Sequence, residues 1–218
     1  MKNNMSQVAM QSAFFPPIQQ ISHIMRHNQV VIEQHDTYAK QTFRNRVQIA
    51  GPNGLQNLSI PVIKPYGSKT KMKDILVNNE KDWQDQIFKS IRTAYRNSPF
   101  YEFYIDDFKK ILNTQTPKLF DLNLQLLVTI LEILEIDTEL IPSSEYQHNY
   151  KIDLRNIAHP KPQYRENDNC YIPVSYHQLF SEKYGFIENL SIIDLLFNEG
   201  PLSYFYLEKT IVNKKLSP

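Results

Sequence analysis

At 218 residues the chain has room for one large domain, and its 41% hydrophobic content supplies a core and excludes global disorder. A formal net charge of +1 excludes the broadly basic surface that non-specific nucleic-acid binding needs, so no nucleic-acid partner is expected. The single cysteine, Cys170, excludes a disulfide framework or a multi-cysteine zinc site within one chain; its thiol reads as buried and inert, and a reducing, cytoplasmic setting fits.

Residues 1–10 carry one lysine and no long apolar run, so they read as neither signal peptide nor anchor. Residues 7–11 predict a first strand. Pro16-Pro17 then opens a helix, where a missing N–H has no partner to lose. Ile18, Ile21, Ile24 and Met25 follow at helical spacing, and the helix should end near His27-Asn28. Val30, Val31 and Ile32 form a β-branched strand. Strand, helix and strand in this order predict a Rossmann-like, right-handed parallel βαβ start. No Gly-rich turn accompanies it, so it carries neither a dinucleotide fingerprint nor a phosphate loop, and no cofactor is specified. His23 and His27 have metal spacing, but no third ligand accompanies them and no metal is expected.

A hairpin follows, with residues 43–50 paired to 55–63 across Gly51-Pro52-Asn53-Gly54 and Pro61 marking an edge position. Residues 64–73 form a basic loop, and 75–77 a short strand. Helices are expected over 82–96 and 100–112. The first carries the stripe Trp83, Ile87, Ile91, Tyr95 and stops at Asn97-Ser98-Pro99. Thr116 and Pro117 read as N-cap and first residue of a third helix. That segment, residues 119–136, is the most apolar. Asp121, Asn123, Gln125, Glu132 and Glu135 interrupt it, which suits a buried helix and no membrane span. Residues 139–141 predict a strand, 145–169 a long functional loop, and 170–174 a last strand. Helices at 175–183, 192–198 and 202–212 complete the chain. Ser191 and Asp194 form a carboxylate capping box, with Leu190 and Leu195 as its staple.

The candidate site centres on residues 34–46, a polar, basic stretch beside buried strands, where polar groups must be satisfied or used. Arg44 and Arg46, two apart on a strand, would share a face with their bases roughly 6–7 Å apart. Their planar forks suit a phosphate or carboxylate, with Lys40 as a further charge. The alternative is a solvated hairpin face with its arginines paired to carboxylates. His35, beyond the carboxyl end of a strand, is placed as a general base or as a ring bonded to loop backbone. Gln11 and Asn45 are expected to orient a ligand. Asn198 and Glu199, at a helix end that capping does not account for, are further substrate-binding candidates.

Taken together, Phe14-Phe15-Pro16-Pro17-Ile18, the run from Lys40 to Arg46, Gly54 with Leu58-Ser59-Ile60-Pro61-Val62, Trp83 to Tyr95 with Ser98-Pro99-Phe100-Tyr101, Asn123, and the run from Asn189 to Gly200 resemble the WbqC-like family of bacterial proteins. The resemblance implies a link to surface-polysaccharide (O-antigen-type) gene clusters. It also implies a role suggested for some members, transfer of glycine or a similar acyl group to an amino sugar. A nucleotide-activated sugar, or another anionic small molecule, is the expected partner. Many members carry His-Gln-Pro where this chain has Met10-Gln11-Ser12, so a histidine role there is not carried over. Many also have a Ser-Gly-rich segment after the central helix, and residues 143–155 hold no glycine. The expectation is one α/β domain over 1–218, with a mixed sheet, an attached hairpin and a helical C-terminal half. It is read as a cytoplasmic sugar-modifying enzyme, or alternatively as a non-catalytic binding or scaffold protein that kept the fold.

Overall fold

The computed structural model describes residues 8–80, 82–157, 159–160 and 168–211. Strands β1 (Val8–Gln11) and β2 (Gln29–Glu33) pair in parallel, with Val8 opposite Val30 and Gln11 opposite Glu33. The helix between them, α1 (Ile18–Ile24), is buried along its whole length, so Gln19, Gln20, Ser22 and His23 are buried along with the apolar stripe. The hairpin is formed by β3 (Arg46–Gly51) and β4 (Gly54–Ser59). Pro61 ends that ladder; beyond it β5 (Val62–Ile63) pairs instead with β6 (Leu76–Val77). Helices α2 (Trp83–Tyr95), α3 (Tyr101–Asn113) and α4 (Leu119–Ile133) lead to β7 (Glu139–Pro142) and β8 (Ile152–Asp153). The C-terminal part holds α5 (Ser181–Tyr184), α6 (Ile192–Glu199) and α7 (Ser203–Lys209).

The α/β class expected from the sequence is what the structure shows. The main sheet has the order β7-β2-β1-β8, parallel throughout, and the antiparallel pairs form small sheets of their own. One core cluster runs from Val8 to Leu207 and joins sheet, hairpin and helices. At its centre the β1–α1 loop inserts Phe14 and Phe15. Phe15 meets Phe108 edge-on at 5.2 Å, and Phe108 meets Phe197 at 6.2 Å.

Four expectations are corrected. The short strand expected at 170–174 is reduced to an isolated bridge between Tyr171 and Ile211, and the fourth strand of the parallel sheet is Ile152–Asp153, inside the expected long loop. Thr116 and Pro117 do not start α4. The Pro117 carbonyl accepts the Val77 N–H at 2.8 Å, drawing this segment alongside β6. The helix expected at 175–183 shrinks to Ser181–Tyr184, because the Gln178 amide holds Ile187 and the His177 N–H goes to Glu199. Cys170 is half-buried, its N–H turned to the Asp168 carboxylate at 3.1 Å. Residues 7, 158, 161–167 and 212, which belong to the expected first strand, long loop and last helix, lie outside the described residues.

Candidate functional site

From β1 the chain moves outward through β2 to β7, then crosses back to place β8 on the other side of β1. The direction of progress reverses between β1 and β8. In open parallel sheets that reversal opens a crevice at the carboxyl ends of the strands. The residues leaving those ends are Gln11 and Ser12, Glu33 to Asp36, Ser143, and Asp153 to Arg155.

Glu33 lies deepest, 2% exposed. The Ser143 hydroxyl donates to it at 2.8 Å, the His35 N–H at 2.6 Å and the Tyr150 hydroxyl at 3.4 Å. The nearest Arg155 nitrogen is 3.9 Å away. Arg155 itself makes two bonds to Asp153, at 2.9 and 2.6 Å, and donates to the carbonyls of Gln147 and His148. Its plane lies 5.4 Å from the Tyr146 ring and 5.1 Å from the Tyr150 ring. The near half of the expected long loop is therefore wound around one arginine. The hydrogen bonds to Arg155 hold the Asp153 carboxyl below its ordinary range.

Arg44 is buried, and its Nη2 pairs with Asp36 at 2.7 Å. It does not share a strand face with Arg46, because β3 begins only at Arg46. The chain turns just before: Gln41 has φ +61°, and the Thr42 hydroxyl donates to the Ala39 carbonyl at 3.0 Å. Burial chiefly pushes the Arg44 guanidinium down, and the neighbouring Asp36, Tyr38 and Glu33 oppose it. Both arginines still converge on Tyr38, whose phenol burial pushes up while they pull it down. Arg46 is half-buried, and Lys40 is exposed beside Lys64, whose ammonium is lowered by desolvation first and then by Lys40.

The other candidates fall into two groups. His35 is half-buried at the end of β2, as its sequence position implied. The Gln11 carbonyl accepts the Gln20 amide at 2.7 Å. Asn45 ties the hairpin arms together through the Ile60 carbonyl at 2.8 Å. Asn198 and Glu199 bond elsewhere: Asn198 to Ser98 and Asp194, Glu199 to the His177 N–H. Those bonds join α6 to the corner between α2 and α3 and to the segment before α5.

Sequence reasoning passed over Glu33, Asp36, Ser143 and Arg155. It also passed over Gln20, a polar residue on a buried helix, which is a signal in itself. The N-terminal N–H groups of α1 are already used, since Ile18 bonds the Leu190 carbonyl at 3.0 Å and Gln19 bonds the Asn189 side chain at 2.9 Å. Phe15, in the loop between β1 and α1, has φ +46° and is 1% exposed, a strained conformation for a bulky residue, held by Ser191 donating to its carbonyl at 2.9 Å.

Fold and site together define an open α/β protein with arginine–carboxylate ion pairs gathered at the switch point of its parallel sheet. The chain belongs to the WbqC-like protein family, whose model matches residues 11–162. The match begins at the Gln11 end of β1 and spans the charge network; the motif at 189–200 lies beyond it. Comparisons with curated proteins and with solved structures return no match. Among the described residues, no helix is long and apolar enough to cross a membrane, and no cluster of three or more metal-binding side chains forms.

Proposed function

We propose that this WbqC-like protein is a cytoplasmic sugar-modifying enzyme of surface-polysaccharide synthesis, transferring an acyl or aminoacyl group to an amino sugar. The observation that carries the reading is the buried network of Glu33, Asp36 and Arg44 at the strand ends, with His35 beside it. In such a transfer the amine nitrogen bonds the acyl carbon, the bond from that carbon to the donor's carrier breaks and the carrier leaves with its electron pair, and a base takes the proton that the attacking amine loses. His35 is assigned that role. Arg46 and Lys40 are assigned the anionic group of a nucleotide-activated sugar. Arg44, already balanced by Asp36, holds the loop that presents them, while Gln11 and Asn45 orient the ligand.

The test is thermal stabilisation by nucleotides, nucleotide-sugars, glycine and acyl donors. A specific ligand at a hundred times its Kd adds about 2.7 kcal/mol to stability. A nucleotide-sugar is expected to raise Tm, and Arg46→Ala to weaken that effect. The absence of a shift with every nucleotide-sugar would sink the enzyme reading.

A second reading, a binding or scaffold protein without chemistry, is favoured by two observations. The charge of Arg44 is taken up by Asp36, and the neighbours of Gln11 are Met10 and Ser12 instead of a histidine and a proline. Stabilisation by a nucleotide-sugar without any acylated product in the mass spectrum would select it.

A further inference from the structure

Among the described residues, three buried side-chain oxygens have no hydrogen-bond partner: Oε1 of Gln20, Oδ1 of Asn45 and Oδ1 of Asn123. Their residues are 1%, 9% and 1% exposed. The orientation of each amide is fixed, because its nitrogen donates to a main-chain carbonyl. Gln20 donates to Gln11 at 2.7 Å, Asn45 to Ile60 at 2.8 Å and Asn123 to Arg44 at 2.8 Å. Turning any amide over would set its oxygen against a carbonyl, so the unmatched groups are acceptors and call for donors.

All three belong to one run of hydrogen bonds. Gln20 holds Gln11, the next residue Ser12 faces the Asn123 amide at 3.5 Å, and Asn123 holds Arg44, whose neighbour is Asn45. The local charge points the same way. Among the described residues, Glu33, Asp36 and Asp153 are paired with the guanidiniums of Arg44 and Arg155, and each of those is matched to an aspartate at close range. Glu33, the deepest of the three carboxylates, is left in surplus. An ammonium offers three donors and no acceptor, which complements unmatched oxygens around a strand end where Glu33 lies opposite Gln11; a hydroxyl brings unmatched lone pairs of its own.

We propose that the carboxyl end of β1 is a subsite for a protonated primary amine, carried by an amino sugar or an amino acid. This rests on the reading above that substrate binds at the switch point, and it places the amine inside that site and the anionic group outside, near Arg46 and Lys40.

Glucosamine, glycine and glucose are titrated into the isotopically labelled full chain, and the side-chain amide signals of Gln20, Asn45 and Asn123 are followed by NMR. At least one of the two amines should bind saturably and move the Gln20 and Asn123 signals, and glucose should not. The arm that responds identifies the source, sugar or amino acid. Gln20→Met and Asn123→Met, with fold checked by circular dichroism, should weaken that binding about tenfold or more, as for a lost hydrogen bond to a charged group. Still amide signals with both amines in the unaltered chain, or glucose binding as well as glucosamine, overturn the subsite. The wild-type titration reads this even if a variant fails to fold. The two proposals fail separately. A nucleotide-sugar whose affinity is unchanged by Gln20→Met removes the subsite and leaves the function. Amine binding that depends on Gln20, without any nucleotide-sugar binding, does the reverse.

Discussion

Asp194, on α6, is 1% exposed and accepts two phenols, from Tyr95 and Tyr176, each at 2.7 Å. Burial pushes its carboxyl from 3.8 up to about 6, against the pull of those hydrogen bonds. The folded chain therefore keeps a proton that the unfolded chain releases between about pH 4 and 6. Stability must fall as pH rises through that window, and the loss is complete above it. Two pH units at about 1.4 kcal/mol each give about 3 kcal/mol. Asp194→Asn removes the titration and keeps one acceptor and one donor for the two phenols. Urea unfolding of both chains at several pH values between 4.5 and 7 isolates the effect, since other groups cancel in the difference. Over that range wild-type stability relative to Asp194→Asn should decline by about 2 kcal/mol, because pH 4.5 already lies above the unfolded pKa. A flat or rising difference would refute the account of this carboxylate. Asp194→Ala should do worse at every pH, because two buried phenols each lose a partner worth about 1–3 kcal/mol.

Arg44→Ala should cost about 2–3 kcal/mol in urea unfolding, less than a fully buried pair because Asp36 is 31% exposed. Gly200→Ala should cost about 2–4 kcal/mol: the residue has φ +53° and its new Cβ would lie 2.5 Å from the Phe100 ring. Gly67→Ala, at φ +57° with nothing within 4 Å, should cost only about 1–2 kcal/mol, and equal losses at the two sites would rule out the steric part. Ser191→Ala should lower stability by about 1–2 kcal/mol, since that hydroxyl caps α6 and also holds the Phe15 carbonyl; an unchanged Tm would contradict both roles.

The βαβ start, the hairpin and the long helices were legible because each is written in local periodicity and turn chemistry. β8 was not. It is a pair of residues whose strand character comes only from lying beside Val8 and Ala9, at the far end of the sequence. The Thr116 cap failed for a related reason, since pairing with β6 outweighs a local preference. Ser191 caps α6 as its sequence position implied, but Asp194 does not complete the box, because two tyrosines from elsewhere take its carboxylate. At the site, the positions of Gln11 and His35 at strand ends could be read from the order of elements. The neutralisation of Arg44 could not, because the turn that swings it onto Asp36 has no glycine or proline to announce it.

The clasp on the β1–α1 loop also governs the order in which the protein can be assembled. Pro16, Ile18 and Gln19 are bonded by Ile192, Leu190 and Asn189, and Ser22 is bonded by Thr210, 188 residues away. During synthesis the loop that carries Ser12 and Phe15 waits for these bonds until the last part of the chain has been made. At ribosomal rates of about 5–20 residues per second, that interval runs from roughly two to seven seconds after Arg155 has emerged. Contacts of such range make folding slow and leave the parallel strand edges open meanwhile. The stretch that the family model matches therefore does not itself supply the hydroxyl that holds its strained loop at Phe15; that bond comes from Ser191, outside it.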